Sequence, residues 1–554
     1  MDPVAVVIAG GRTTSFYSWL TKFASYPQRS WIIIILSAAV AAIIAELVLK
    51  IRYTRTTGIV LCIAGILLLA YGAVLDYARY RVPPVTGSST AWVWMPLTGA
   101  FLLFVAWDLR RRRRRTIHNR INRLTNAVAD RIETLERERG APHYVDQLTP
   151  YGAPVQLQLR SLVRRRRKQS SIFLTGLPGS GKTATLLRFA RDCQLLRSAR
   201  KRPLIGIYVD LAEYAAQTTE TLSLARFIQV KFIDSDSPEL DAEKAWAEFG
   251  RYVDWIFLFD NADEADLRKG HENWSQQLTK SFMLRYSRFN SFYTVVAANT
   301  RPENSSVPVV ELGNLTDEGS RELLTTGGVN PSTADALTVD EGLYWFVRNP
   351  GMIKLLAPVL AYRAWANSDN VHEILSEAID HVLQRSPQTA SMNLASLKTT
   401  ATSIIKDLMH TQKASFPGAP GAISKGFTEI AKTINSSPQE VINDLTILAE
   451  HGFVKLIPSR DSIEYIEFSS GAVTYFYVRA LLDRPEDVPV DELLYNPNFR
   501  MVAVSLLQIA STEIVGRFLQ EVESLLDSAI TGINQDELAE LRARIQWANK
   551  ANKT

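Results

Sequence analysis

The sequence predicts three apolar helices, then an α/β domain built on a parallel sheet, then a series of helical segments. Three observations support this order. Apolar runs of near-spanning length precede residue 108, a glycine-rich loop follows an apolar strand near residue 175, and a later apolar strand ends in acids. Domains usually hold ~100–200 residues, so a chain of 554 residues is expected to form three or four units.

The composition excludes several classes of protein. With 46% apolar residues the chain is not a disordered one. Two cysteines, Cys62 and Cys193, exclude a disulfide scaffold and a cysteine-rich metal site. The net charge of +5, from 62 basic and 57 acidic residues, is small and concentrated in arginine runs, so it is a local feature.

The three apolar runs are Trp31–Leu49, Gly58–Leu75 and Ala91–Trp107. A bilayer core needs ~20 apolar residues per helix, with ~17 as the short limit. The third run is short and carries Pro96, but its tryptophans suit the membrane interface. The sequence therefore predicts three transmembrane helices rather than a buried helical hairpin.

Basic residues predict the orientation of these spans. Lys50, Arg52 and Arg55 lie between the first two spans, and Arg110–Arg115 follows the third. Cytoplasmic loops carry the excess of Lys and Arg. We therefore expect a multi-pass protein of the cell (inner) membrane with its N-terminus outside and everything after residue 108 in the cytoplasm. The arginine run is then expected to contact lipid headgroups rather than nucleic acid.

An apolar stripe continues beyond the arginines on a helix from about 109 to 139. Its members recur at spacings of three and four: Ile117, Ile121, Leu124, Val128, Ile132 and Leu135. Two interpretations remain open, a short coiled coil between copies of the chain and an amphipathic helix packed on its own following domain.

The strongest motif is GLPGSGKT, which follows the apolar strand Ile172–Thr175 and opens an amphipathic helix. This is a complete GxxxxGK[ST] P-loop in its strand–loop–helix setting, where backbone N–H groups and the helix N-terminus face phosphate oxygens. Lys182 is expected to reach the β- and γ-phosphates and Thr183 to bind Mg²⁺. The predicted nucleotide-binding residues here are Gly176, Pro178, Gly179, Ser180, Gly181, Lys182, Thr183 and Ala184.

An acidic element ends the apolar run Trp255–Phe259. Asp260, at the carboxyl tip of this strand, is predicted to hold Mg²⁺ together with Thr183. Either Glu264 or Asp263 is the candidate to orient an attacking water.

A third strand, Tyr293–Ala298, ends in Asn299-Thr-Arg301-Pro302 and should place polar groups on the γ-phosphate side of the crevice. Arg301 is a candidate phosphate contact, the alternative being a surface arginine at a strand end. The guanine-reading NKxD motif does not occur, which favours ATP/ADP as the nucleotide.

Taken together, these segments resemble the NACHT branch of the STAND NTPases. The resemblance rests on the P-loop, FDNADE at the acidic strand, RPLIGIYVDLAEYA (Arg202–Ala215), NTRP at 299–302, LGNLTDEGSRELL (Leu312–Leu324) and RNPGMIKLLA (Arg348–Ala357). It covers about 150–510. It implies an α/β P-loop NTPase followed by helical and winged-helix subdomains, with Pro350 lying against the adenine.

The resemblance also implies a winged helix, for which Gly426–Ile457 has the expected order of helix, turn, helix and strand. In the family a histidine of the next helix touches the β-phosphate, and here Ser470 stands at that position. A DNA-reading winged helix is the alternative function. It is disfavoured because the second helix, Pro438–Glu450, carries three acids and no Lys or Arg, so nucleic acid is not an expected partner.

The predicted units run from the N-terminal tail to a C-terminal helical segment without a detectable sensor repeat. They are the tail (1–30), three transmembrane helices (31–108), a basic amphipathic connecting helix (109–150), a NACHT-like nucleotide-binding domain (151–315), a helical subdomain (316–395), a winged-helix subdomain (396–482) and the C-terminal helices (483–554).

The resemblance implies a membrane-anchored signalling ATPase that hydrolyses ATP slowly with Mg²⁺ and is switched by its nucleotide. Its partners would be the lipid bilayer and further copies of itself on activation, the trigger being unknown. A role in bacterial innate (antiviral) defence follows by analogy. The alternatives are a membrane-tethered AAA-type ATPase that remodels protein or DNA, an ATP-gated transporter or channel, and a nucleic-acid-binding regulator.

Overall fold

The structure of the chain is a computed structural model, and most of the chain after residue 120 can be described. The described ranges are 121–138, 144–165, 170–193, 202–217, 223–232, 253–270, 273–286, 292–299, 307–340, 343–363, 370–384, 394–411, 421–422, 426–458, 464–484, 488–490 and 499–527, with isolated positions elsewhere.

The chain divides into two compact units, Met1–Arg123 and Leu124–Thr554. The three predicted spans fall in the first unit and, apart from Phe104, lie outside the described residues. None of the helices within the described ranges has both the length and the apolarity to cross a bilayer.

A five-stranded parallel sheet forms the first half of the second unit. Its strands are β1 (Ser170–Thr175), β2 (Leu204–Asp210), β3 (Asp254–Asp260), β4 (Phe292–Ala298) and β5 (Val309–Glu311). They lie in the order β2-β3-β4-β1-β5, and every neighbouring pair is parallel. The strand carrying the glycine-rich loop and the strand carrying the acids are therefore separated by one strand, β4.

The central strands are buried because their residues are apolar. Trp255, Phe257 and Phe259 on one face of β3 are fully buried, as are Ile256 and Leu258 on the other. A strand buried on both faces is typical of a parallel sheet covered by helices on each side.

Helices connect and cover the strands. They are α1 (residues 121–138), α2 (Val155–Arg165), α3 (Lys182–Cys193), α4 (Leu211–Gln217), α5 (Leu224–Phe232), α6 (Ala262–Lys269) and α7 (Trp274–Tyr286). The stripe residues Leu124, Val128, Ile132 and Leu135 of α1 are buried, and Glu136 of the same helix pairs with Arg191 of α3. Ile117 lies outside the described residues.

Further helices follow the sheet in the described part of the chain, and side-chain caps mark where several of them begin. Thr316 accepts a hydrogen bond from the Gly319 amide, and Asn349 accepts one from the Met352 amide with Pro350 at the next position. The helices are α8 (Asp317–Thr326), α9 (Pro331–Val339), α10 (Pro350–Leu360), α11 (Val371–Gln384) and α12 (Leu394–Thr411).

A small sheet and two helices come next. Strands β6 (Gly421–Ala422), β8 and β7 form an antiparallel sheet in that order, and β7 (Val454–Pro458) and β8 (Glu464–Phe468) form a hairpin. Helices α13 (Gly426–Thr433) and α14 (Pro438–Glu450) precede the hairpin. Ser437 and Glu440 form a complete capping box at the start of α14.

Three more described helices end this half: α15 (Ser470–Leu482), α16 (Arg500–Leu507) and α17 (Thr512–Asp527). A single apolar cluster runs from Leu315 through the small sheet to Val522. The helical segments and the β7–β8 hairpin thus share one core, which holds the hairpin in a fixed relation to α10 and α15.

Candidate nucleotide-binding site

The loop between β1 and α3 has the conformation that phosphate binding requires. Gly179 and Gly181 have φ angles of 76° and 90°, a left-handed region in which a side chain is strained. The amide of Thr185 donates to the Gly181 carbonyl at 2.9 Å, which is the first helical bond of α3. The amides of Lys182, Thr183 and Ala184 precede that bond, so the helix itself provides them with no acceptor. This end of α3 suits an anion.

Lys182 is held over the same loop. Its Nζ donates to the carbonyls of Gly176 at 2.6 Å and Leu177 at 3.0 Å, and to Asn299 Oδ1 at 2.8 Å. Burial lowers the pKa of the ammonium, and the carboxylates of Asp263 and Asp260 oppose that shift. A desolvated cation at this point attracts a phosphate strongly.

Thr183 and Asp260, the two predicted magnesium ligands, lie in contact. Thr183 Oγ1 donates to Asp260 Oδ2 at 2.6 Å, and the Tyr208 hydroxyl donates to the same oxygen at 2.8 Å. Asp260 is buried. Hydroxyl and carboxylate oxygens are the donors that Mg²⁺ takes from a P-loop site, the remainder coming from phosphate and water. In the described part of the chain there is no group of three or more His, Cys, Asp or Glu that could hold a metal ion.

Asp263 lies on the same side of the site as Lys182. Its Oδ2 accepts a 2.6 Å hydrogen bond from the backbone amide of Asn299, whose side chain contacts Lys182. Burial raises the pKa of Asp263, while the Asn299 amide and the Lys182 charge act in the opposite direction. A carboxylate held in this way can accept a hydrogen bond from a water near a γ-phosphate.

Glu264 is buried and makes two ion pairs. Its Oε1 accepts from Arg268, with Nε at 3.0 Å and a terminal nitrogen at 2.8 Å. Its Oε2 contacts Nζ of Lys455, which lies on β7. Glu264 thus connects the nucleotide domain to the hairpin.

The cross-strand neighbour of Lys455 in the hairpin, Glu467, also faces the site. Burial raises the pKa of this carboxyl. Its charge interacts attractively with Lys455 and Lys182 and repulsively with Glu264 and Asp263. The hairpin therefore brings one positive and one negative group to the edge of the nucleotide site.

The start of α10 contacts the loop directly. The Gly351 amide donates to the Gly179 carbonyl at 3.0 Å, and a Cβ atom added to Gly181 would lie 3.7 Å from Pro350 Cγ. Gln147 Nε2 donates to the Ser180 carbonyl at 2.5 Å from the other side. Pro350 is thus close to the loop, and its contact with adenine stays a prediction.

Ser470 is the first residue of α15, and its side chain lies outside the described part of the structure. The next residue, Gly471, packs closely on α10. A Cβ atom added there would lie 2.4 Å from Leu355 Cδ2. The helix that carries Ser470 therefore packs against the helix that begins at Pro350.

Arg301, the predicted phosphate contact, lies outside the described residues. Sequence reasoning did not assign roles to Gln147, Lys455 or Glu467, and no motif marks them. Asn299 carries a usable signal, because it directly follows a buried parallel strand beside the P-loop strand.

The parallel sheet, the glycine-rich loop after β1 and the Thr183–Asp260 pair together define a P-loop NTPase. No model of a known protein family matches the chain, and no curated protein matches it. Among solved structures, it is similar to the Aeropyrum pernix ORC1 protein in complex with DNA, at 17% identity and a TM-score of 0.29, over 62% of this chain and 94% of that one.

Two further solved structures are also similar to the chain. The Aeropyrum pernix ORC2 protein has 12% identity and a TM-score of 0.31, over 66% of this chain and 95% of that chain. A Pyrococcus horikoshii STAND protein with a tetratricopeptide repeat sensor has 14% identity and a TM-score of 0.24, over 71% of this chain and 57% of that chain.

Proposed function

We propose that this chain is a membrane-anchored signalling ATPase of the NACHT/STAND kind, switched between conformations by ATP and ADP. The observation that carries the proposal is that elements from beyond the parallel sheet contact the nucleotide domain at two points. The Gly351 amide of α10 donates to the Gly179 carbonyl of the loop, and Lys455 of the hairpin pairs with Glu264 of α6. The predicted winged-helix subdomain (396–482) would be the moving part of this switch.

The energy of the switch lies in differential binding. A nucleotide moves a conformational equilibrium only by the ratio of its affinities for the two forms. The glycine-rich loop and Lys182 would bind the phosphates in both conformations. The start of α10 and the helix beginning at Ser470 would supply the difference, because they belong to the helical half of the unit.

Hydrolysis would reset the switch. Thr183 and Asp260 are the residues that would hold Mg²⁺, which supplies charge neutralisation at the phosphates. Lys182 would offset negative charge on the phosphates, and Asp263 or Glu264 would accept a proton from the attacking water. Both acids lie in the first turn of α6, next to the strand end that carries Asp260.

The membrane part of the proposal rests on sequence. The three apolar runs would span the inner membrane with the N-terminus outside, and would be either anchor or effector. Assembly of several copies on activation, and a role in antiviral defence through membrane disruption, follow from the family resemblance.

The discriminating experiment measures the mass of the detergent-solubilised full chain with ADP and with a non-hydrolysable ATP analogue. We expect a larger assembly with the analogue, and no change in a Lys182→Ala variant. Fast multiple-turnover hydrolysis with the same mass in both nucleotides would instead favour an AAA-type remodelling ATPase.

The charge of α14 bears on the nucleic-acid alternative. Two of its three acids have structural tasks: Glu440 completes the capping box, and Asp444 accepts hydrogen bonds from Thr400 at 2.7 Å and Ser396 at 3.2 Å. The helix still carries no Lys or Arg to contact phosphates. We therefore do not propose nucleic acid as a partner.

A further inference from the structure

Both carboxylate oxygens of Glu264 are engaged by cations. Arg268, one helical turn on, holds Oε1 through two nitrogens. Lys455, from the hairpin, contacts Oε2. Oε1 thus accepts hydrogen bonds and Oε2 forms an ion pair, so the carboxylate has less negative charge available to hold and activate a water.

The two cations differ in what holds them. Arg268 lies on the same helix as Glu264, so its contact survives any movement between domains. Lys455 lies on β7, which belongs to the apolar core shared by the helical half. The Glu264 side chain is only 5% exposed, whereas that of Lys455 is 46% exposed. The lysine reaches from the surface of the hairpin into the nucleotide domain.

A second charged residue of the hairpin, Glu467, also acts on the nucleotide site. Glu467 lies directly across from Lys455 in the β7–β8 register, and its charge acts on Lys182 as well as on Glu264. A negative group at this edge disfavours further negative charge, such as that of a γ-phosphate, near Lys182. Both hairpin residues thus oppose a catalytically competent ATP complex.

We propose that Lys455 is an inhibitory positioning residue, which pairs with Glu264 and withholds it from the attacking water until the hairpin moves away. The inference rests on the proposed function, since it concerns the ATPase reaction of the same site. It assigns to the hairpin a contact with the catalytic acids in addition to any contact with nucleotide. Separation of the hairpin frees Oε2 while Arg268 still orients the side chain.

The test measures steady-state ATP hydrolysis by the detergent-solubilised full chain. Lys455→Ala should raise kcat by about threefold or more with little change in KM, because an interaction that restrains only the chemical step is removed. Lys455→Glu, which sets a like charge beside Glu264, should raise it at least as much. Lys455→Arg should retain the wild-type rate. Lys432→Ala, at an exposed lysine of α13, is the matched control and should change nothing.

A second arm ties the effect to Glu264. In a Glu264→Gln background, Lys455→Ala should give no acceleration, whereas a general loosening of the fold would still alter the rate. If wild-type protein hydrolyses ATP and both Lys455 variants match it or are slower, the inference is wrong while the proposed function stands. If wild-type protein neither binds nor hydrolyses ATP, the proposed function itself fails.

Discussion

The Thr183 hydroxyl donates a 2.6 Å hydrogen bond to Asp260, a residue 77 positions further along the chain. The bond joins the first turn of α3 to the tip of β3, across the intervening strand β4. The two oxygens are held together by elements that are rigid for independent reasons: Asp260 by a fully buried strand and Thr183 by a helix start. A metal site on such elements is preorganised.

Asp260→Asn should remove the Mg²⁺ dependence of ATP binding. The carboxylate supplies the negative oxygen that a hard cation prefers, and an amide oxygen supplies only a dipole. ATP affinity measured by calorimetry should rise with added Mg²⁺ in the wild type and stay flat in the variant. Tyr208→Phe is the matched control, because it removes a 2.8 Å bond to the same oxygen but no negative charge. An equal loss in both variants would contradict the magnesium role.

Lys182→Ala should lower ATP affinity below detection. A charge-assisted hydrogen bond contributes about 1.5–3 kcal/mol, or roughly 10- to 150-fold in affinity, and this lysine is expected to make more than one to phosphate. The measurement is binding of a fluorescent ATP analogue. Lys280→Ala, at an exposed lysine of α7, should bind as the wild type does. Unchanged affinity in Lys182→Ala would refute the assignment of the site.

Much of the fold follows from sequence because local signals and burial agree. The predicted strand Trp255–Phe259 lies within β3, and the predicted helix Pro438–Glu450 matches α14 at both ends. In the first case a continuous apolar run specifies a buried strand. In the second an N-cap serine followed at once by proline specifies where the helix starts.

The cross-domain contacts could not be predicted in the same way. The sequence marks Glu264 as a candidate catalytic acid but gives no sign that Lys455 pairs with it, because that pairing depends on how the shared core places the hairpin. Gln147 reaches the P-loop from a segment before α2 that carries no motif. Such contacts depend on the tertiary arrangement, which a motif or a periodicity does not encode.

Glu264→Gln and Asp263→Asn separate the two candidates for orienting water. If Glu264 has that role, Glu264→Gln should bind ATP normally and slow its hydrolysis by about 10²–10⁴-fold, the usual contribution of a general base. It should also remain in the ATP-bound assembly. Two measurements check this: ATP binding at equilibrium, and the rate of single-turnover hydrolysis of the bound ATP.

Normal turnover in Glu264→Gln would transfer the role to Asp263, whose oxygen lies within 2.6 Å of the Asn299 amide beside Lys182. Asp263→Asn should then show the slow hydrolysis. Arg268→Ala separates positioning from chemistry, because it releases Glu264 Oε1 without removing either acid.

His372, on α11, stacks on Tyr475 of α15, with ring centroids 4.6 Å apart. Burial, together with the positive charges of Arg479 and Lys398, lowers the pKa of His372 to about 4. The unfolded chain therefore takes up a proton near pH 6.5 and the folded chain does not until about pH 4. Between those values protonation favours the unfolded state, so stability falls as the pH falls.

His372→Phe should remove this part of the acid sensitivity while keeping an aromatic ring against Tyr475. At pH 5 the histidine costs the wild type at most about 2 kcal/mol relative to pH 7, so the variant should lose less stability over that range. The measurement is thermal or denaturant unfolding at both pH values. Asp266, whose pKa burial raises to about 6, acts in the opposite direction but is common to both proteins and cancels in the difference. If wild type and variant lose the same stability between pH 7 and pH 5, His372 does not contribute to the acid sensitivity of the fold.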